Sequence, residues 1–194
     1  MMANQEDKPL DGDTTAVKEA HSLSAFHSVA IYDASTIEIS LGDSYQVEID
    51  GAKVYADAQQ IEMHGDELSI KFSDHDSNHR KTAIKITVPS LRALKIVGCG
   101  KLTVLGKVWK SDNIDLDLQR VSVAILSPSL EAKNISVSLQ GVMFMQCHVD
   151  CHNFQWKSRS IGHAKIWGHA NKQSFDVEHE TQIDKKGLKL ACRD

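Results

Sequence analysis

LKIVGCG (94–100), IDLDLQR (114–120), ISVSLQG (135–141), FQWKSRS (154–160) and FDVEHET (175–181) begin 20, 21, 19 and 21 residues apart. Each has an apolar residue at its first and third positions. Leu94, Ile114, Ile135, Phe154 and Phe175 make one column, and Ile96, Leu116, Val137, Trp156 and Val177 a second. Alternation at period two marks a strand with one buried face. Self-similarity at a fixed period of about twenty marks a repeat whose units bury their inner faces only against their neighbours. A shorter alternating run follows in most repeats: KLTV (101–104), VSVAIL (121–126), VMFMQ (142–146) and HAKIW (163–167). Twenty residues at about 3.3 Å each give a rung of roughly 66 Å of chain, stacked about 4.8 Å from the next. The expectation from about Leu91 onward is a right-handed parallel β-solenoid (β-helix) of about five rungs. Its register predicts Lys157 beside Glu178, Arg159 beside Glu180, and Asp115 and Asp117 next to Ser136 and Ser138.

Upstream of the repeat, FHSVAIY (26–32), TIEISL (36–41), YQVEID (45–50), ELSIKF (67–72) and TAIKITV (82–88) alternate in the same way. Gly42-Asp43, Asp50-Gly51 and Gly65-Asp66 supply turns between them. The chain is thus expected to be all-β, with an antiparallel or mixed strand section at 26–90 leading into and capping the solenoid of 91–183. Residues 26–183 would form one structural domain. Residues 1–25 read as a disordered polar tail and 184–194, DKKGLKLACRD, as a charged C-terminal tail protecting the far end. SDHDSNHR (73–80) reads as an exposed loop.

With 26 acids against 22 lysines and arginines, scattered and not gathered into runs, nothing in the 194 residues attracts nucleic acid or anionic lipid. No window approaches eighteen consecutive apolar residues, so no transmembrane span is expected. The first twenty residues hold neither a basic region nor an apolar stretch of the signal-peptide kind, so the chain as it stands reads as cytoplasmic. Four cysteines, Cys99, Cys147, Cys151 and Cys192, are too few for a disulfide scaffold and read as reduced thiols unless the compartment is oxidising.

The order of these segments resembles a bacterial domain family of unknown function, the head GIN domain of auto-transporter adhesins. The resemblance rests on Phe26 to Ile31, on Gly42-Asp43-Ser44-Tyr45-Gln46-Val47, on Asp66-Glu67-Leu68-Ser69-Ile70, and on Pro89 through Gly98-Cys99-Gly100-Lys101-Leu102. It covers about 26–183. The family's Gly-Ser-Gly corner stands as Gly98-Cys99-Gly100 and thins to Gln119-Arg120, Gln140-Gly141 and Arg159-Ser160. The resemblance implies a strand section running into a β-solenoid, a cell-envelope or extracellular setting for a mature form, and no established enzyme activity.

Cys147, His148, Cys151 and His152, with His163 and His169 a rung later, are residue types that zinc prefers. His169 lies 21 positions after His148, which would stack them on neighbouring rungs. The alternative is that the cysteines pack as small apolar side chains at a corner while the histidines lie in solvent; a Cys147–Cys151 disulfide is a third reading. No metal, cofactor or catalytic residue is therefore assigned. Asp115 and Asp117 leave one strand face about 6–7 Å apart, as paired glycosidase carboxylates would, or as an ordinary solvated face. His75, His79, His148, His152, His163 and His169 fall in loops or corners, where they could support a surface pH response. Trp156 is a column residue; Trp109 and Trp167 are expected at corners, where an exposed ring could contact a partner. The function expected is a non-enzymatic binding or structural module for an unknown protein or glycan, adhesin-head-like, with a carbohydrate-active enzyme using outward carboxylates as the alternative. A homo-oligomer follows if the solenoid's ends are poorly covered.

Overall fold

The computed structural model describes residues 16–52, 59–72, 82–178 and 182–190. No helix occurs among them. Twelve strands join one mixed sheet: β1 (Ala16–Ser22), β2 (Ser28–Leu41), β3 (Gln46–Ala52), β4 (Gln59–His64), β5 (Glu67–Phe72), β6 (Ala83–Val88), β7 (Ala93–Leu105), β8 (Val108–Lys110), β9 (Asn113–Gln140), β10 (Phe144–Arg159), β11 (His163–Glu178) and β12 (Gln182–Lys189). β2, β7, β9, β10, β11 and β12 stack in that order and run parallel. β9 is long enough to come back alongside its own start, where Lys133 and Asn134 donate their backbone N–H groups to Asp112 O at 3.0 and 3.2 Å.

Alternation decides what each strand buries. Leu94, Leu116, Val137 and Trp156 are buried in one row, Ile37, Leu102, Ala124, Met145 and Ala164 in another, and Trp109, Leu130 and Val149 in a third, all within one core. Each Ile or Leu withdrawn from water contributes about 1.5–3 kcal/mol, so the columns hold neighbouring strands together. Between the first and second rows the chain turns at residues in the left-handed region: Asp33 (φ 55°), Gly98 (78°), Arg120 (53°), Gly141 (62°) and Ser160 (52°). The pairing places these five in successive strands at one level. A single left-handed residue reverses the alternation and bends a strand sharply, at a cost of about 1–2 kcal/mol wherever a Cβ is present. Gly98 meets a further need, because a Cβ there would lie 2.2 Å from Asp33 Oδ1. The gap lets Asp33 reach Arg120, two strands away, at 3.7 Å. At the other end of β9, Asn134 donates to Asn113 Oδ1 at 2.8 Å and Asn153 to Asn134 Oδ1 at 2.7 Å, a row of amides that ties three successive passes.

The amino-terminal strands reverse direction. β4 and β5 form an antiparallel hairpin turned at Gly65 (φ 66°), and β5 lies parallel against the first half of β2. β6 lies parallel against the second half of β2, with β3 and then β1 antiparallel beyond it.

Four expectations change. Leu94 pairs with Leu116, not Ile114, and Trp156 with Phe175, not Val177, so two of the four steps between repeats are displaced by two residues. The charge pairs move with them: Lys157 meets Asp176 at 3.8 Å and Arg159 meets Glu178 at 2.9 Å; Glu180 lies outside the described residues. Trp109 is fully buried, because β8 turns it inward beside Leu130, and its Nε1 donates to Leu91 O at 2.6 Å. Ala16–Ser22, within the expected amino-terminal tail, pairs as β1, and the expected C-terminal tail contributes its residues 184–189 to β12 (Gln182–Lys189). The 73–80 loop, with His75 and His79, and Cys192 lie outside the described residues.

Candidate binding surface

The outward residues of the parallel strands fall into three groups. In the first, before the left-handed corner, outward positions align as Ser28, Ala93, Asp115 and as Ala30, Lys95, Asp117. The Asn113–Asn134 bond sets the two halves of β9 21 positions apart, which brings Ser136 and Ser138 to the same levels. Ala93, Lys95, Asp115, Asp117, Ser136 and Ser138, with Glu67 from β5, line a shallow depression of about 280 Å3. It exists because Ala and Ser are short where Lys and Asp on either side are long. Gln119 Nε2 donates to both carboxylate oxygens of Asp117 at 3.1 Å, while Asp115 is exposed. Solvated acceptors, two hydroxyls and one ammonium suit a partner bearing hydroxyl or amine groups. Asp115, Asp117, Ser136 and Ser138 are brought together as the repeat predicts; Lys95 joins them through the pairing of β7 with β9, and Glu67 only through the pairing of β5 with β2.

The second face is less polar. Val123, Ile125 and Phe144 point outward and are half-buried, Met143 is 68% exposed, and the Phe144 ring stacks on His163 at 5.9 Å. On the third, Ser129, His148 and Trp167 align. His148 Nδ1 lies 2.8 Å from Ser129 Oγ, its ring is 5.9 Å from Trp167, and Lys165 Nζ lies 5.8 Å from the Trp167 centroid. Trp167 is thus half-buried within β11, where the sequence reading places it at a corner.

The metal candidates separate. Along β10, alternation turns Cys147 and Cys151 inward and His148 outward. Cys99, Cys147 and Cys151 are buried free thiols. Burial, reinforced by neighbouring Cys151, pushes the Cys147 thiol up to about 12, and burial raises Cys99 and Cys151 to about 11. At neutral pH such thiols keep their protons and are neither nucleophiles nor ready ligands. His152 Nδ1 accepts from Asn171 Nδ2 at 3.0 Å, and His169 is exposed beside Asp150, not stacked on His148. Among the described residues, no three His, Cys, Asp or Glu side chains are grouped to hold a metal ion. No helix of the described residues is long and apolar enough to cross a membrane.

Solved structures share the fold, three of them as follows. A "putative adhesin" from Parabacteroides distasonis ATCC 8503 superposes with a TM-score of 0.79 at 17% identity, over 91% of this chain and 76% of that one. A "putative adhesin" from Bacteroides fragilis NCTC 9343 gives 0.57 at 14%, over 88% and 97%, and one from Parabacteroides merdae ATCC 43184 gives 0.51 at 12%, over 93% and 98%. No curated protein matches the sequence. The family model described as "Putative auto-transporter adhesin, head GIN domain" matches residues 25–192, and the chain belongs to that family.

Proposed function

We propose that the chain is a non-enzymatic, adhesin-head-like binding module in which residues 26–183 form one structural domain. In this reading the parallel passes are a right-handed β-solenoid of about five rungs, and the first outer face meets a polar partner, a protein or a glycan. Family membership supports the adhesin-like reading. The observation that carries the choice of face is the depression over Ala93, Asp115, Asp117, Ser136 and Ser138, where short side chains on successive strands leave room beside two carboxylates, that of Asp117 held by Gln119. A shallow, solvated ladder of this kind offers many weak polar contacts along a strand stack, which suits recognition of an extended surface.

The test is an array of glycans and peptides probed with the chain and with Ala93→Trp, which fills the depression. Saturable binding by the chain, loss of it in Ala93→Trp at unchanged Tm, and recovery of the ligand intact are expected. Binding untouched by Ala93→Trp would remove this face from consideration. Cleavage of a bound glycan that stops in Asp115→Asn/Asp117→Asn would make the chain an enzyme instead.

A further inference from the structure

We propose that the edge of β11 from Gln173 to Glu178 takes up an added strand from a partner: an extended peptide whose inward residues are apolar and whose outward residues are basic. The location is the far end of the polar outer face, where the row Asp117, Ser138 and Lys157 ends at Asp176. Three observations lead there. The first is geometric: β10 pairs with β11 as far as Glu178, but on the other side β12 pairs with it only from His163 to His169, and no described residue pairs with that side further on. The remaining backbone N–H and C=O groups on that side are a template for strand addition.

The second concerns the core under this edge. Phe175 is half-buried and Val177, in line with the interior, is 41% exposed. The Lys185 ammonium, 4.2 Å from the Phe175 centroid, lies where the next apolar neighbour would be expected. One strand in, Trp156 Nε1 and Ser158 Oγ are buried without a partner among the described residues. Among the described residues, the interior is incompletely covered at this end.

The third is charge. Outward positions alternate across the last two strands: Lys157 and Arg159 on β10 face Asp176 and Glu178 on β11. A further strand continues the ladder favourably only if it brings cations. That also argues against a second copy. The matching edge at the opposite end of the same face is β4, whose outward Glu62 would meet Asp176 or Glu178 with like charge.

The experiment uses a fluorescent hexapeptide of alternating lysine and valine, its glutamate–valine counterpart, and the lysine–valine peptide N-methylated at alternate amides. Anisotropy titrations of the full chain are expected to favour the lysine peptide over both others by at least about tenfold. The neutral variant Asp176→Asn/Glu178→Gln should lose the preference for lysine over glutamate while retaining its fold by circular dichroism. Equal binding of the N-methylated peptide would overturn the proposal, because charge alone would then explain the affinity. So would binding unaffected by the variant. A concentration-dependent dimer in sedimentation that Val177→Lys disperses would assign the edge to a second copy instead.

Discussion

At its amino-terminal end the stack is met on two faces by strands that change direction: β5 and β4 over the first half of β2, and β6, β3 and β1 over the second. At the other end β12 continues the parallel run and covers β11 only as far as His169. The burial follows. Ile70 on β5 and Ile31 beneath it are fully withdrawn from water, whereas Phe175 and Val177 on β11 are not. A parallel strand offers its successor the same edge that it used itself, so only reversal, charge or a partner brings the stack to a close. The amino-terminal end uses reversal; the β11 edge has charge.

Substitutions can widen or erase this contrast. The largest effect is expected at Gly168, with φ 116° and a Cβ position 2.0 Å from Val149 O. Backbone cannot yield as a side chain would, so Gly168→Ala should cost about 3 kcal/mol or more in urea unfolding. Gly65→Ala, in the amino-terminal hairpin with open space around it, should cost only about 1–2 kcal/mol. Next, Ile70→Ala at the covered end should lose about 2–4 kcal/mol and Val177→Ala at the uncovered end less than about 0.5 kcal/mol. Equal losses would mean that the two ends are equally packed.

Smaller per pH unit is the effect of the buried thiols. Cys147 is raised from the ordinary 9.0 to about 12. Below pH 9 the folded and unfolded chains both hold the proton; between pH 9 and 12 only the unfolded chain releases it. Stability therefore falls as pH rises through that window, by up to about 1.4 kcal/mol per pH unit for one thiol. Cys147→Ala should make the profile over pH 9–12 shallower, with Cys99 and Cys151 still contributing up to about pH 11, and a profile unchanged by it would contradict the burial. The smallest effect is the Arg159–Glu178 pair, exposed on both sides: a double-mutant cycle should give about 0.2–1 kcal/mol, fading with added salt.

The strands, their inward residues and the repeat are legible in the sequence because alternation reports burial directly. The register is not, for a related reason. Sliding a strand by two residues keeps every apolar side chain inward, so Leu94 finds an acceptable neighbour in Ile114 or in Leu116. The left-handed corner breaks the tie, but only Gly98 and Gly141 announce it; Arg120 and Ser160 adopt the same conformation without a glycine to mark it. Of the candidate surface, Asp115, Asp117, Ser136 and Ser138 could be read from the repeat, since both pairs lie in β9 at an undisturbed spacing. Glu67 could not, because it arrives from a hairpin with no repeat of its own. Trp109 was misleading because a three-residue strand is too short to show which side faces in.

The row Asn113, Asn134 and Asn153 gives the stack an electrical sense. Asn134 and Asn153 both donate toward the amino-terminal end, so the Asn153 oxygen is turned toward β11, where the register partner is Lys172. Reversing the row would require all three amides to flip together. A strand arriving after β10 thus finds an acceptor awaiting a donor, and the molecule distinguishes its own front from its back before any ligand is bound.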